Sequence, residues 1–158
     1  MDLHRLTDVA PDETEPPHLE PTTGFLIVRV AEAIDWRFSA RLKPLDLRPR
    51  QLHVLRYLNA AGAVSQAELA AGISVDAANL VETLDELEAG ELIRREIDPQ
   101  DRRRRRIILT SAGSRKLRAG LAAAEQADND ILGTLEPQQL ASLRGIMLHL
   151  RRSSPQRP

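Results

Sequence analysis

The chain predicts a mainly α fold with a small β-wing, an α+β arrangement in which a winged helix-turn-helix lobe is joined to a helical dimerisation region. Three observations carry this. Apolar residues recur at helical spacing over most of residues 24–150. A short helix, a four-residue turn and a second amphipathic helix follow one another between Ser65 and Gly90. Directly after them, Asp98-Pro99-Gln100-Asp101, five arginines (Arg102 to Arg106) and Ile107-Ile108-Leu109-Thr110 read as the turn and return strand of a hairpin, because Asp-Pro presets a type I turn.

Each element has its own signal. Ile27, Ala31, Ile34, Phe38 and Leu42 share a helical stripe that Pro44 stops. Pro49 suits a first helical turn, and Leu52, Leu55 and Leu58 continue a second helix to Gly62. After an extended link at Ala63-Val64, Ser65 and Glu68 have the spacing of a capping box that opens a third helix, closed at Gly72. Ser74 or Asp76 then caps a fourth, whose core face is predicted as Ala77, Leu80, Val81, Leu84 and Leu87, ending at Gly90. Leu92-Ile93-Arg94-Arg95-Glu96-Ile97 supplies the other strand of a two-stranded ribbon. Ser111 is expected to cap a long helix with Leu117, Leu121, Ala124, Ile131 and Leu135 inward, and Pro137 opens a last one with Leu140, Leu143, Met147 and Leu150.

In domain terms, residues 1–23 read as a disordered acidic, proline-rich arm, 24–43 and 112–150 as dimerisation helices, 49–110 as the winged lobe, and 151–158 as a flexible tail. The helices at the two ends of the ordered region are more apolar than the lobe can cover, so a second copy is the expected partner.

The 158 residues include no cysteine, which excludes disulfides, thiolate zinc sites and thiol redox sensing. No apolar run approaches a membrane span, and a cytoplasmic protein is expected. Net charge is −1 but unevenly placed: the first 23 residues hold six acids against Arg5 alone, so the remainder is mildly basic. Clustered guanidinium groups on a hairpin call for a polyanion, and double-stranded DNA is the partner expected. The helix that would enter the major groove is unusual. Between Ser74 and Glu91 it holds Asp76, Glu82, Asp85, Glu86, Glu88 and Glu91 and no Lys or Arg, a charge that opposes phosphate and that Arg48 and Arg50 would have to help offset.

These motifs resemble the MarR family of bacterial transcriptional regulators, from about Gly24 to Leu150. The matching segments are Leu47-Arg48-Pro49-Arg50-Gln51-Leu52, Ser65-Gln66-Ala67-Glu68-Leu69-Ala70, Leu84-Asp85-Glu86-Leu87-Glu88, and the wing motif from Asp98 to Arg103 continuing to Leu109-Thr110-Ser111-Ala112-Gly113. The resemblance implies a homodimer whose lobes each read half of a palindromic operator. It implies that Asp101 orients Arg103, that Arg102 enters the minor groove, and that Arg104 to Arg106 lie nearer the phosphates. Ser65, Gln66, Asp76, Ala78, Asn79, Glu82 and Thr83 complete the expected DNA contacts, with Arg104 and Arg105 among the wing residues. Asn79 suits adenine, Thr83 several bases, and Glu82 the N4 amine of cytosine. Where relatives usually place a Thr-Arg pair, this chain has Val81-Glu82.

The resemblance also implies release by a small aromatic or phenolic effector. Arg29 and Trp36 share a face of the first helix, and His53 and Tyr57 are i, i+4 neighbours in the second, so these four are the candidate pocket residues. No cofactor is implied. Phosphate-cradling glycine loops, HExxH and serine-nucleophile elbows are absent from the sequence, so an enzyme is not expected. The alternative is a protein of this fold that has lost specific DNA binding through its acidic helix and acts as a small-molecule-binding protein or cleft enzyme.

Overall fold

The computed structural model describes residues 21–73, 77–99, 101 and 104–153, without the side chains of 77–79. The arm at 1–20, both proposed caps at Ser74 and Asp76, and the tail from residue 154 lie outside the described residues. Helix α1 (Thr23–Leu42) starts at Thr22, whose hydroxyl accepts a hydrogen bond from Phe25 N–H, and a single 3₁₀ turn (Lys43–Leu45) follows it. Helix α2 (Pro49–Ala61) opens on Pro49 and stops at Gly62, which takes φ 78°. Strand β1 (Val64–Ser65), α3 (Gln66–Ile73), α4 (Ala77–Ala89), β2 (Ile93–Ile97) and β3 (Arg105–Leu109) complete the lobe; α5 (Ser111–Leu132) and α6 (Pro137–Ser153) follow. Among the described residues no helix is long and apolar enough to cross a membrane.

The ribbon is wider than predicted. The Ala63-Val64 link contributes a third strand, giving an antiparallel sheet in the order β1-β3-β2, with Val64 opposite Ile107 and Ser65 opposite Arg106. Two residues are too short a run for alternation to show in sequence, and their pairing partner lies more than forty positions away. The sheet's core side carries Ile93 and Ile107, packed with Leu55, Leu58, Leu69, Leu80, Leu84 and Leu87 in one cluster.

Two predicted faces, one cap and one helix end are corrected. In α4, Thr83 is 5% exposed and Val81 43%, the reverse of the expectation. Leu80, Thr83, Leu84 and Leu87 form one i, i+3, i+4, i+7 stripe, and Val81 falls off it. In α5 the buried positions are Gly113, Leu117, Gly120, Ala123 and Ala127; Leu121 is 41% exposed. Small side chains let α5 lie close against α1 and α2, so volume rather than hydrophobicity selects the face. The cap of α5 is Thr110 rather than Ser111: its hydroxyl accepts from Gly113 N–H at 2.9 Å. Helix α6 also runs to Ser153, three residues into the segment read as a tail.

Helix α4 ends in a Schellman arrangement. Leu92 N–H donates to Leu87 carbonyl and Glu91 N–H to Glu88 carbonyl, with Glu91 itself, not Gly90, left-handed at φ 57°. This turn brings the Leu92 carbonyl against the start of α5, where a Cβ on Gly113 would sit 2.0 Å from it. Gly113→Ala is therefore expected to cost about 1–3 kcal/mol in chemical denaturation, since a backbone carbonyl cannot step aside. Gly145→Ala, in α6 with open space around it, should be neutral or stabilising by up to about 1 kcal/mol. Equal effects in the two variants would contradict this packing.

Candidate nucleic-acid interface

The acidic helix and the basic ribbon are tied to each other. Arg95, on β2 and with a side chain only 17% exposed, donates to Asp85 at 2.7 Å and to Glu88, both on α4. Its backbone N–H also donates to Glu88 at 3.0 Å. Burial would lower the arginine's pKa, but the hydrogen bonds to Asp85 and Glu88 outweigh it and hold the guanidinium above its ordinary value. Glu86 faces the other way and accepts from Arg48 and, at 3.1 Å, from Gln51 of α2. Three of the four acids within α4 are thus paired with two cations of the same lobe. Arg48, expected to help offset the helix's charge toward DNA, is one of those cations.

Glu82 is exposed and has no ion-pair partner among the described residues. At the opposite pole from the Leu80–Leu84–Leu87 stripe, it stands on the outermost line of α4. Thr83, expected to read bases, is turned into the core and leaves that set. Asp76 lies outside the described residues, as do the side chains of Ala78 and Asn79. At the entrance to α3 the capping box forms as predicted: Ser65 N–H and Oγ both lie 2.7 Å from the Glu68 carboxylate, and Glu68 N–H donates to Ser65 Oγ at 3.3 Å. The Ser65 hydroxyl is therefore engaged in the cap, while Gln66 beside it is exposed.

On the wing, Asp98 N–H donates to Arg104 carbonyl and Arg104 N–H to Asp101 carbonyl, closing the loop. Arg102 and Arg103 lie outside the described residues. The arginine seen beside Asp101 is Arg104, at 3.4 Å and 73% exposed. Arg106, expected near phosphate, is instead an internal brace that donates to the Ala63 carbonyl at 3.0 Å and lies 3.9 Å from Asp98. This follows from the third strand, since Arg106 sits opposite Ser65 in the sheet. Arg105 is exposed, with no ion pair among the described residues.

A helix-turn-helix with a three-stranded wing root, a capped α3 and exposed Arg104 and Arg105 beside the wing loop is a winged helix-turn-helix lobe. A model of the MarR family matches residues 47–104. The transcriptional regulator HosA of Escherichia coli O111:H- is 33% identical over 94 residues, covering 60% of this chain and 70% of that protein. The chain belongs to the MarR family. The reduced form of Escherichia coli MarR superposes with a TM-score of 0.73 at 25% identity, over 87% of this chain and 99% of that one. CouR from Rhodococcus jostii RHA1, solved bound to p-coumaroyl-CoA, superposes at 0.68 with 27% identity over 85% and 94%. The MarR resemblance drawn from the motifs thus holds, for the fold and for a role in transcriptional regulation.

The four effector candidates have separate surroundings. Arg29 pairs with Glu32 one turn away, and Trp36 is 40% exposed with the Arg37 guanidinium 5.9 Å from its ring. His53 is exposed on α2. Tyr57 packs against α3, where a Cβ on Gly72 would fall 2.1 Å from its ring, and its hydroxyl lies 3.4 Å from the Glu68 carbonyl. A side chain at Gly72 would have to displace the Tyr57 ring. A crevice of about 420 Å³ opens elsewhere, lined by Asp46, Arg48, Gln51, Glu86, Gly90, Leu92 and Lys116, and none of the four candidates lines it.

Hydrogen bonds from Ser65 N–H and then from its hydroxyl lower the Glu68 pKa below its ordinary 4.5, with Arg104 and Arg106 adding attraction. A depressed carboxylate contributes stability that is present above the unfolded pKa and disappears as pH falls through the folded one. Wild type should accordingly melt above Glu68→Gln at neutral pH, and the two melting curves should converge in acid below about 4.5. A gap that stays constant down to acid pH would contradict a charged cap.

Proposed function

We propose that this MarR family regulator acts as a homodimer that binds a palindromic operator through α3, α4 and its wings, and that a small effector releases it. The carrying observation is the internal pairing of Asp85 and Glu88 with Arg95 and of Glu86 with Arg48, which offsets two of the helix's four negative charges and so lessens its repulsion of phosphate. Arg104 and Arg105 meanwhile stand exposed at the wing. This also weighs against the alternative in which the acidic helix marks a lost DNA function. Acids with partners inside the lobe need no such explanation.

Self-association is supported by the ends of the chain. Among the described residues helix α6 has no buried position, and Ile146, Met147, Leu148 and Leu150 stand exposed on it. Phe25, Leu26, Ile27, Val28 and Val30 do the same on α1. Apolar area of that extent on two terminal helices is what an intertwined two-fold interface covers. Two lobes held by one two-fold axis would match a DNA site with the same symmetry. An effector that fits one spacing of the lobes better than the other shifts the population away from the DNA-bound form. The ligand-bound CouR supports that part, with Trp36 offering a flat exposed surface here.

The test is selection from a random duplex pool by the full chain, then anisotropy titration of the enriched site across a salt series. Expected are a palindrome, a dissociation constant of about 10⁻⁸ M or tighter, and a steep salt slope. Arg105→Ala should reduce that slope by about 1. Weak binding with no enriched sequence would overturn the reading, and an unchanged slope in Arg105→Ala would remove that residue from the interface.

A further inference from the structure

Within the lobe, only Val81 and Ile97 stand out as large apolar side chains exposed among the described residues; the others so exposed lie on α1, α5 and α6. Ile97 is at the wing end of β2, opposite Arg105. Val81 is on α4, immediately before Glu82, and has no partner in the core stripe. Glu82 in turn is the acid of α4 with no cation assigned to it among the described residues, whereas Asp85 and Glu88 hold Arg95 and Glu86 holds Arg48. Two adjacent positions of α4 thus carry an exposed isopropyl group and an exposed carboxylate with no cation assigned to it among the described residues.

We propose that Val81 and Glu82 are the specificity-determining pair of this protein, reading a thymine and a neighbouring cytosine in the major groove of each half-site. The inference rests on the DNA-binding reading above and deepens it. In the major groove the C5-methyl of thymine is the apolar feature, and an isopropyl group covers it without demanding a hydrogen bond. Cytosine presents its N4 amine there, a donor with which an ionised carboxylate pairs; the acceptor-only glutamate selects it over O4 of thymine and O6 of guanine, and over the N6 amine of adenine because the adjacent N7 acceptor repels the second carboxylate oxygen. The carboxylate also repels the phosphates on any duplex. A correct cytosine compensates that repulsion, and a wrong base leaves it uncompensated. Glu82 therefore weakens non-cognate binding more than cognate binding, which is discrimination by penalty.

The experiment uses the full chain and the palindrome enriched by selection, with each thymine of both half-sites replaced in turn by deoxyuridine. Removing the methyl at one position should weaken wild-type binding about fourfold per half-site, the value of one buried methyl, and should leave Val81→Ala unaffected. At the adjacent base pair, replacing cytosine should cost wild type about tenfold. Glu82→Gln should bind random duplex more tightly than wild type while losing most of that cytosine preference. A palindrome that tolerates deoxyuridine everywhere, or a Val81→Ala variant that loses as much as wild type, would overturn the pair while leaving the regulator reading intact. A Glu82→Gln variant that gains equally on every sequence would show the carboxylate to be a general repulsion only and would overturn its reading role. Failure to enrich any palindrome would overturn the pair together with the function it rests on.

Discussion

The Arg95 guanidinium, held between Asp85 and Glu88, is the interaction on which the lobe's geometry depends. Helix α4 meets the sheet through β2, and β2 meets β1 only through β3. A half-buried arginine bonded to two carboxylates one turn apart fixes both the rotation of the helix and its height along the strand. The apolar stripe of Leu80, Leu84 and Leu87 supplies the cohesion, but apolar contact is non-directional and would tolerate small rotations. Charge-assisted hydrogen bonds are directional. They convert a packed helix into one whose outward residues are set.

The same pairing resolves the conflict between a basic wing and an acidic helix. Counted as formal charges, α4 opposes a polyanion; placed in the fold, half of that charge is matched at hydrogen-bond distance by Arg95 and Arg48, and Gln51 adds a neutral hydrogen bond to Glu86. Matched pairs present a dipole rather than a monopole, and a dipole's field falls away faster with distance. The wing shows the complementary economy. Arg106 braces the β1 link and Arg94 is paired with Glu96 on its own strand, so the run of arginines is partly structural and partly presented outward.

Much of this was legible in the sequence because it is written in short-range signals. Pro49 at the start of α2, the Ser65–Glu68 box and the Asp-Pro turn each need only a few neighbouring residues, and the first two stand where the pattern placed them, while the Asp-Pro turn includes Gln100, which lies outside the described residues. What failed to show depends on distant partners. Strand β1 exists because Val64 and Ser65 reach Ile107 and Arg106. The inversion of Val81 and Thr83 arose because valine is the more hydrophobic, while the helix's rotation is set by the three leucines and Arg95 together. In α5, Gly120, Ala123 and Ala127 are inward through smallness, which a hydrophobic pattern does not register. The acids of α4 were visible as charge, but their partners on β2 and α2 were not.

Whether Asp85 and Glu88 serve the lobe rather than oppose DNA is decided by the double variant Asp85→Asn/Glu88→Gln, with operator and random-duplex affinities measured side by side. The variant gains two units of positive charge, so general electrostatics alone would tighten binding on every duplex. The ratio of operator to random-duplex affinity should nevertheless fall, because α4 is no longer held in register with the wing. A ratio equal to that of wild type, with both affinities raised together, would contradict it.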